Sequence, residues 1–316
     1  MECRVLGLLK KSAAPKGRIG VAFAGEQLAV AVILRETGSV ALDRCEMLPF
    51  NPAAGPEGIA AAFRTANLPH LPISTVLRPD DYQLAMVEAP DVPPAELRAA
   101  MRWRLKEAID FRVEDAVIDV FDVPTQNRGG QGRMMYAVAA RRAAVERHST
   151  ALAALPAFDV VDVPELCLRN LAALLPAAAS GVALLHLGEM TASIVLVRGS
   201  TFYFARQMDL QATLRIASGS DPSARFDAGS VVLELQRSLD YYERHFDQPP
   251  ITRIAVSPSS VRATELAADL SRDTGLEVST LELDSIVKCS ASLTSATIAS
   301  CLLAVGAALR DEQRTL

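Results

Sequence analysis

The chain opens twice in the same way. Arg18 to Glu36 (RIGVAFAGEQLAVAVILRE) is a pair of apolar runs hinged at Ala24-Gly25-Glu26, and SVALDRCEML follows as a third run. Runs rich in Val, Ile and Leu on either side of a glycine turn read as a β-hairpin extended by a third strand. The layout returns past the middle of the chain, where GVALLHLG leads to a turn and ASIVLVRGSTFYFARQMDL comes back. At roughly 100–200 residues per domain, a 316-residue chain has room for two units, each large enough to bury its own core. Two like openings therefore predict two α/β lobes.

The segments between and after the openings alternate strand and helix. Glu57 to Asn67 has the apolar spacing of a helix, and PISTVLRP and DDYQLAMVEAP read as strands. From Pro93 to Phe111, Pro94 suits a helix start, and Leu97, Met101, Leu105 and Ile109 recur at helical spacing. VEDAVIDVFDV alternates as a strand, and RMMYAVAARRAAVERHSTALAAL runs from strand into helix after the loop QNRGGQG. FDVVDVPELCLRNLAALL is a strand and a helix. Ser230 to Phe246 is a long helix, and a strand, a helix, a strand and a final helix close the chain. The expected division is a basic tail over 1–17, a first lobe over 18–88 and 156–180, an inserted subdomain over 89–155, and a second lobe over 181–316.

Composition removes several function classes. With 32 Lys and Arg against 37 Asp and Glu, the net charge of −5 argues against a nucleic-acid binder, which carries a basic face. Gly181 to Val197 holds His186 and Glu189, and Ser295 to Leu309 is shorter still, so neither reaches the ~18 uncharged apolar residues of a spanning helix. Met1 to Arg18 lacks the apolar run of a secretory signal, which predicts a cytoplasmic protein. Lys10, Lys11, Lys16 and Arg18 surround VLGLL, as in a loose tail or in a weak contact with anionic lipid worth about 1 kcal/mol per charge. The five cysteines, Cys3, Cys45, Cys167, Cys289 and Cys301, are scattered and read as reduced apolar side chains. His70, His148, His186 and His245 show no metal-ligand spacing, and no Gly-x-Ser-x-Gly elbow is present. Asp80-Asp81 and Glu114-Asp115 sit at element edges, where solvation explains them. No catalytic residue and no metal site is expected, and of Tyr241-Tyr242, adjacent on one helix, packing claims one.

Twin strand-hairpin lobes resemble the actin, Hsp70 and sugar-kinase ATPase architecture, in which nucleotide sits between the lobes. There each hairpin turn aims backbone N–H groups at phosphate, and an Asp on each organises the divalent metal. Four segments carry a closer likeness: ELRAAMRWRLKEAIDFRVEDAVIDVFDVP (Glu96 to Pro124), FDVVDVPELCLRNLAALL, LELQRSLDYYERHF (Leu233 to Phe246) and AVGAALR (Ala304 to Arg310). In order and spacing they resemble the PilM family of type IV pilus assembly proteins, in particular its MshI branch, which serves the MSHA pilus. The resemblance implies an FtsA-like inserted subdomain and a place on the cytoplasmic face of the inner membrane. It also implies a PilN-like partner there, held through its short cytoplasmic N-terminal peptide, with contacts to other pilus machinery.

The nucleotide turns depart from that pattern. Where the family's first turn reads like Gly-x-Asp-x-Gly, this chain has Gly20-Val21-Ala22-Phe23-Ala24; where the second reads Asp-x-Gly, it has His186-Leu187-Gly188. The adenosine turn after ITRIAVS is Pro258-Ser259-Ser260 in place of a Gly-Gly pair. Magnesium wants oxygen ligands, and neither Ala22 nor His186 offers one. The expectation is a non-catalytic scaffold with no required cofactor, ATP at most resting on Gly20, Gly25, Gly188, Thr191, Glu234 and Ser238. The alternatives are an ATP-binding regulator of pilus or type II secretion assembly, and a sugar-kinase-like enzyme. For the partner, Arg102, Trp103 and Lys106 stand out on one helix together with Arg98 and Arg104; a solvated face is the plain reading, and Trp and Arg are also favoured at interface centres.

Overall fold

The computed structural model describes residues 16–36, 39–124, 133–155, 157–188, 191–209, 228–257, 261–290 and 293–311. Strands β1 (Lys16–Ala24) and β2 (Gln27–Glu36) form the first hairpin, with Gly25 at φ +60° in the turn, and β3 (Ser39–Pro49) pairs antiparallel to β2. The alternation of β2 builds two cores at once. Leu28, Val30 and Val32 face one side of the sheet with Ile59, Phe63 and Leu152, whereas Ala29, Ala31 and Ile33 face the other with Cys301, Leu302 and Val305. A strand buried on both faces reads as a continuous apolar run, as LAVAVI does.

Helix α1 (Pro56–Thr65) leads to β4 (Ile73–Val76), parallel to β1, and β8 (Phe158–Asp162) lies parallel to β4. Between β4 and β8 the chain builds β5 (Tyr82–Glu88), α2 (Pro94–Leu105), β6 (Ala116–Asp122), β7 (Met134–Arg141) and α3 (Arg142–Ala151). Helix α4 (Pro164–Ala172) follows β8. The second opening is β9 (Val182–Leu187), β10 (Thr191–Arg198) and β11 (Thr201–Asp209), followed by α5 (Ala228–His245), β12 (Arg253–Val256), α6 (Val261–Thr274) and β13 (Glu277–Thr280). Two-residue β14 (Lys288–Cys289) and α7 (Ser295–Ala308) end the described chain. The strands form three sheets, ordered β14-β3-β2-β1-β4-β8, β11-β10-β9-β12-β13 and β5-β7-β6.

Four features differ from the sequence reading. β1 begins at Lys16, inside the segment read as tail. β5, placed in the first lobe, is an edge of the three-stranded sheet, and Leu152 and Leu155, placed in the insertion, pack in the first-lobe core. α2 ends at Leu105; Ile109 and Phe111 still cover the three-stranded sheet, but from a turn and not from helix. The last difference is the largest. Segment 181–316 does not stay in the second lobe, because β14 pairs with β3 at Ala41 and Leu42 and α7 lies on the first sheet.

Two glycines explain how closely α7 is seated. A Cβ on Gly20 would come within 1.8 Å of the Ala304 carbonyl oxygen, and one on Gly306 within 2.4 Å of the Cys167 oxygen, so helix backbone rests on strand backbone and on α4. Asn170 Nδ2 donates to the Gly306 oxygen at 2.9 Å in that contact. The inserted sheet in turn leans on the second lobe. Phe121, Tyr136 and Phe202 pack ring to ring at 5.1–5.5 Å, and the Ala205 N–H donates to the Tyr136 hydroxyl at 3.3 Å.

Candidate functional site

The first hairpin tip holds the positions that an actin-like nucleotide site would use. In register, Ala22 of β1 stands beside Val76 of β4, and Val76 beside Asp162 of β8. This row lies at the carboxyl ends of three parallel strands, where open α/β sheets place ligands. Gly25 sits exposed in the turn with open space around it, whereas the Cβ side of Gly20 is taken up by α7. Ala22 contributes a methyl group and no oxygen.

At the second hairpin, Gly188 donates its N–H to the Thr191 carbonyl at 2.8 Å, closing the described ends of the turn. His186 faces Ser257, with Nδ1 and Oγ 3.1 Å apart, and the Leu187 N–H donates to the same Oγ at 3.2 Å. Ser257 is fully buried, and its hydroxyl proton is free to donate to Nδ1 of a neutral ring. Burial pushes the His186 imidazole down to about 4, which keeps it neutral at physiological pH. A neutral imidazole already bonded to serine is a poor substitute for a carboxylate on Mg²⁺. Residues 258–260, read as the adenosine turn, lie outside the described residues, as do Cys3 and Glu189.

Glu234 and Ser238 share one face of α5, but both are engaged. Burial alone would raise the Glu234 carboxyl; hydrogen bonds from Arg206 and Arg237, each at 2.5 Å, outweigh it and hold the group below the ordinary carboxylate range. Ser238 is fully buried and donates to the Glu234 carbonyl oxygen at 2.7 Å. The sequence-derived residues thus fall into three local sets: Gly20 with Gly25, Gly188 with Thr191, and Glu234 with Ser238. Among the described residues, no cluster of three or more His, Cys, Asp or Glu side chains is placed to hold a metal ion.

Sequence reasoning missed Asp162 and Arg310. The Asp162 carboxylate is buried at the end of the β4–β8 row and receives the Arg310 guanidinium at 2.8 Å, across 148 positions of chain. A fixed cation, carried in from the end of α7, therefore sits on the one carboxylate in the row. Beside it, Tyr82 of β5 donates to Glu165 of α4 at 2.5 Å, both groups buried. Burial raises the Glu165 carboxyl and, together with the neighbouring carboxylates, the Tyr82 hydroxyl. These two pairs tie the inserted sheet, β8, α4 and the residue that follows α7 together.

The surface carries a second set of candidates on α2. Trp103 is 80% exposed, the largest exposed apolar side chain among the described residues, with Lys106 exposed one turn on. Its neighbours are pinned to their own subdomain: Arg98 pairs with Asp119 at 3.1 Å, Arg104 with Glu88 at 3.3 Å, and Arg102 donates to the Val113 carbonyl at 3.0 Å. Trp103 is thus held out beside arginines that pair with their own subdomain. A separate groove of about 460 Å³ runs between the first hairpin tip, the start of α1 and the face of α3, with Phe23, Phe50 and Ile59 as apolar lining and Glu146 and Arg147 beside them. Tyr242 is fully buried, while Tyr241 stacks on Phe204 and His245, so the adjacent tyrosines do serve different faces. No helix among the described residues is long and apolar enough to cross a membrane.

No protein-family model matches the chain, and no curated protein matches it. Solved structures do. A chain of a structure described as a PilM-PilN type IV pilus biogenesis complex is similar at 20% identity and a TM-score of 0.68, over 93% of this chain and 98% of that one. A Bacteroides thetaiotaomicron protein described as having an actin-like ATPase fold and unknown function is 7% identical, with a TM-score of 0.49 over 94% and 98% of the two chains. The cytoplasmic domain of EpsL, an inner-membrane component of the Vibrio cholerae type II secretion system, is 11% identical, with a TM-score of 0.44 over 91% and 94%. The last two likenesses are too loose to argue from. The first, with the duplicated sheet order, establishes the architecture: the chain has the two-lobed α/β actin-like fold.

Proposed function

We propose that this protein is a non-catalytic cytoplasmic adaptor in the assembly of a type IV pilus, of the MSHA kind, acting at the inner membrane through its partners. The observation that carries the reading is the near full-length match, in both directions, to a chain of the PilM-PilN complex. The segment likenesses at Glu96 to Pro124 and Leu233 to Phe246 point the same way and favour the MshI branch.

The side chains at the hairpin tips support the non-catalytic half of the proposal. An ATPase of this fold needs a divalent metal to neutralise the phosphates and orient the attacking water. Ala22 and the serine-bonded His186 supply no oxygen for it, Arg310 occupies Asp162, and α7 fills the space beside Gly20. In this reading the lobes are kept as a frame. The frame presents the α2 face, with Trp103 between pinned arginines, to the cytoplasmic N-terminal peptide of a PilN-like membrane protein. Truncating a well-placed Trp in an interface costs about 2 kcal/mol or more, which is on the order of a thirtyfold loss of affinity.

The test is calorimetric titration of the purified chain with that peptide, beside an ATP hydrolysis assay with magnesium. The expected result is peptide binding weakened at least tenfold by Trp103→Ala, and phosphate release no faster than from a boiled control. Hydrolysis that a Gly188 substitution abolishes would overturn the non-catalytic reading. Unchanged peptide affinity in Trp103→Ala would remove α2 from the interface.

A further inference from the structure

The inserted sheet meets the second lobe along a strand at a sheet edge. Among the described residues β11 is the outermost strand of the second sheet, paired with β10 on one side. An open edge presents unpaired N–H and C=O groups, and folded proteins pair it, blunt it or cover it. Here the cover comes from the other half of the molecule. The Ala205 N–H, on β11, donates to the hydroxyl of Tyr136 on β7, the central strand of the inserted sheet.

The run Phe202-Tyr203-Phe204 shows how β11 serves both sides of this contact. Its pairing with β10 slips here: Phe202 stands opposite Val197 and Phe204 opposite Leu196, which leaves Tyr203 as the extra residue of a β-bulge. A bulge re-aims the side chains around it. Phe202 packs on Tyr136 and Phe121 of the inserted sheet, with ring centres 5.1 and 5.5 Å apart. Tyr203 turns to its own lobe, against Tyr242 of α5 at 5.2 Å and Phe246 just past that helix at 5.1 Å. Phe204 stacks on Tyr241 of α5 at 4.7 Å, and the Tyr241 hydroxyl donates to the Met86 sulfur of β5 at 3.3 Å. Val123 and Tyr136 of the insertion are buried in one apolar core with Leu184, Ile194 and Leu235 of the second lobe.

The chain passes between the lobes from α4 to β9 and returns from β13 to β14. Lobes joined by chain crossings move against each other unless a large apolar interface stops them. We propose that the inserted sheet is a strut: rooted in the first lobe between β4 and β8, and wedged against β11 and α5, it holds the two lobes at one angle. The aromatic contact therefore does more than fill space, since it joins a sheet carried by one lobe to the edge of the sheet of the other. The inference does not rest on the pilus reading, because it concerns only how the lobes are held.

Two variants cut the contact from opposite sides. Phe202→Ala removes the ring on β11, and Phe121→Ala removes the half-buried ring that faces it from β6. Residue-resolved hydrogen–deuterium exchange and small-angle X-ray scattering are measured on the full chain. The expected result in both variants is about tenfold faster exchange of the β11 amides, with β9 and β12 still protected, and a radius of gyration larger than that of the wild type. Phe121→Ala decides alone if Phe202→Ala does not fold, because Phe121 lies outside the second lobe. Wild-type exchange at β11 in Phe121→Ala would overturn the proposal. So would faster exchange with an unchanged radius, which means that the inserted sheet covers the edge without holding the angle. Protection lost across the whole second sheet would overturn it as well, because the rings would then serve that lobe's own core.

Discussion

The two large sheets are built to one plan. Reading outward from the hairpin, β3-β2-β1-β4-β8 matches β11-β10-β9-β12-β13, with an antiparallel meander on one side and parallel strands on the other. They differ in what each plan has to accommodate. Between β4 and β8 the first sheet carries a whole extra sheet, where the described residues of the second place α6 between β12 and β13. The hairpins differ as well. Two residues before Ala22 is Gly20, which α7 covers backbone to backbone; two residues before His186 is Leu184, fully buried by its own side chain. The frame repeats while the side chains at the tips do not, so duplication constrains the backbone far more tightly than the chemistry it presents.

The sharpest way to break this comparison is to put a side chain where only the first sheet lacks one. Gly20→Val would drive methyl groups into the Ala304 carbonyl and unseat α7, at a cost of about 3 kcal/mol or more. Gly25→Ala, in the open turn at φ +60°, should cost only the roughly 1 kcal/mol of a left-handed alanine. Urea unfolding of the two variants measures the difference, and equal midpoints would mean that α7 does not rest on β1.

A second contrast pits the buried pair against the exposed ones. Asp162 is almost wholly buried beneath Arg310, whereas Arg98–Asp119 and Arg253–Glu277 lie in solvent. Arg310→Ala leaves a buried carboxylate without its cation and should cost about 3 kcal/mol, against about 0.5 kcal/mol or less for Arg98→Ala or Arg253→Ala. A double-mutant cycle with Asp162→Asn checks it. If Arg310→Ala loses no more than the surface variants, the segment after α7 does not clamp the β4–β8 row.

Much of this architecture is legible in the residues because the signals are local. The glycine-hinged runs at Arg18 to Glu36 and after Gly181 announce both hairpins, and Pro94 and Ser230 mark helix starts to within a few residues. What escapes is whatever joins distant segments. Asp162 ends a short apolar strand and Arg310 follows an apolar helix, but nothing in either stretch states that they meet. The return of β14 and α7 to the first sheet has no local signature either. Gly20 shows the other difficulty: a glycine in a strand fits a phosphate turn and a close helix approach equally well, and only the position of Ala304 distinguishes them.

The smallest expected effect separates the lobes by acid. In the second lobe, His186 has its folded pKa depressed to about 4 from an ordinary value near 6.5. The unfolded chain then binds more protons between those values, so the contribution of this group is fully present above about pH 6.5 and is lost as pH falls toward 4. Glu165, in the first lobe, works in the opposite sense. Burial raises its folded pKa, so its contribution is present below the ordinary carboxylate range and is lost as pH rises through the raised value. The two slopes oppose each other in the wild type, and single variants separate them. Replacing His186 by Asn should flatten the loss of stability from pH 7 to pH 5 by about 2 kcal/mol, while Glu165→Gln should steepen it. Urea midpoints at three pH values read both, and an unaltered pH slope in His186→Asn would show that the imidazole is solvated and not held neutral against Ser257.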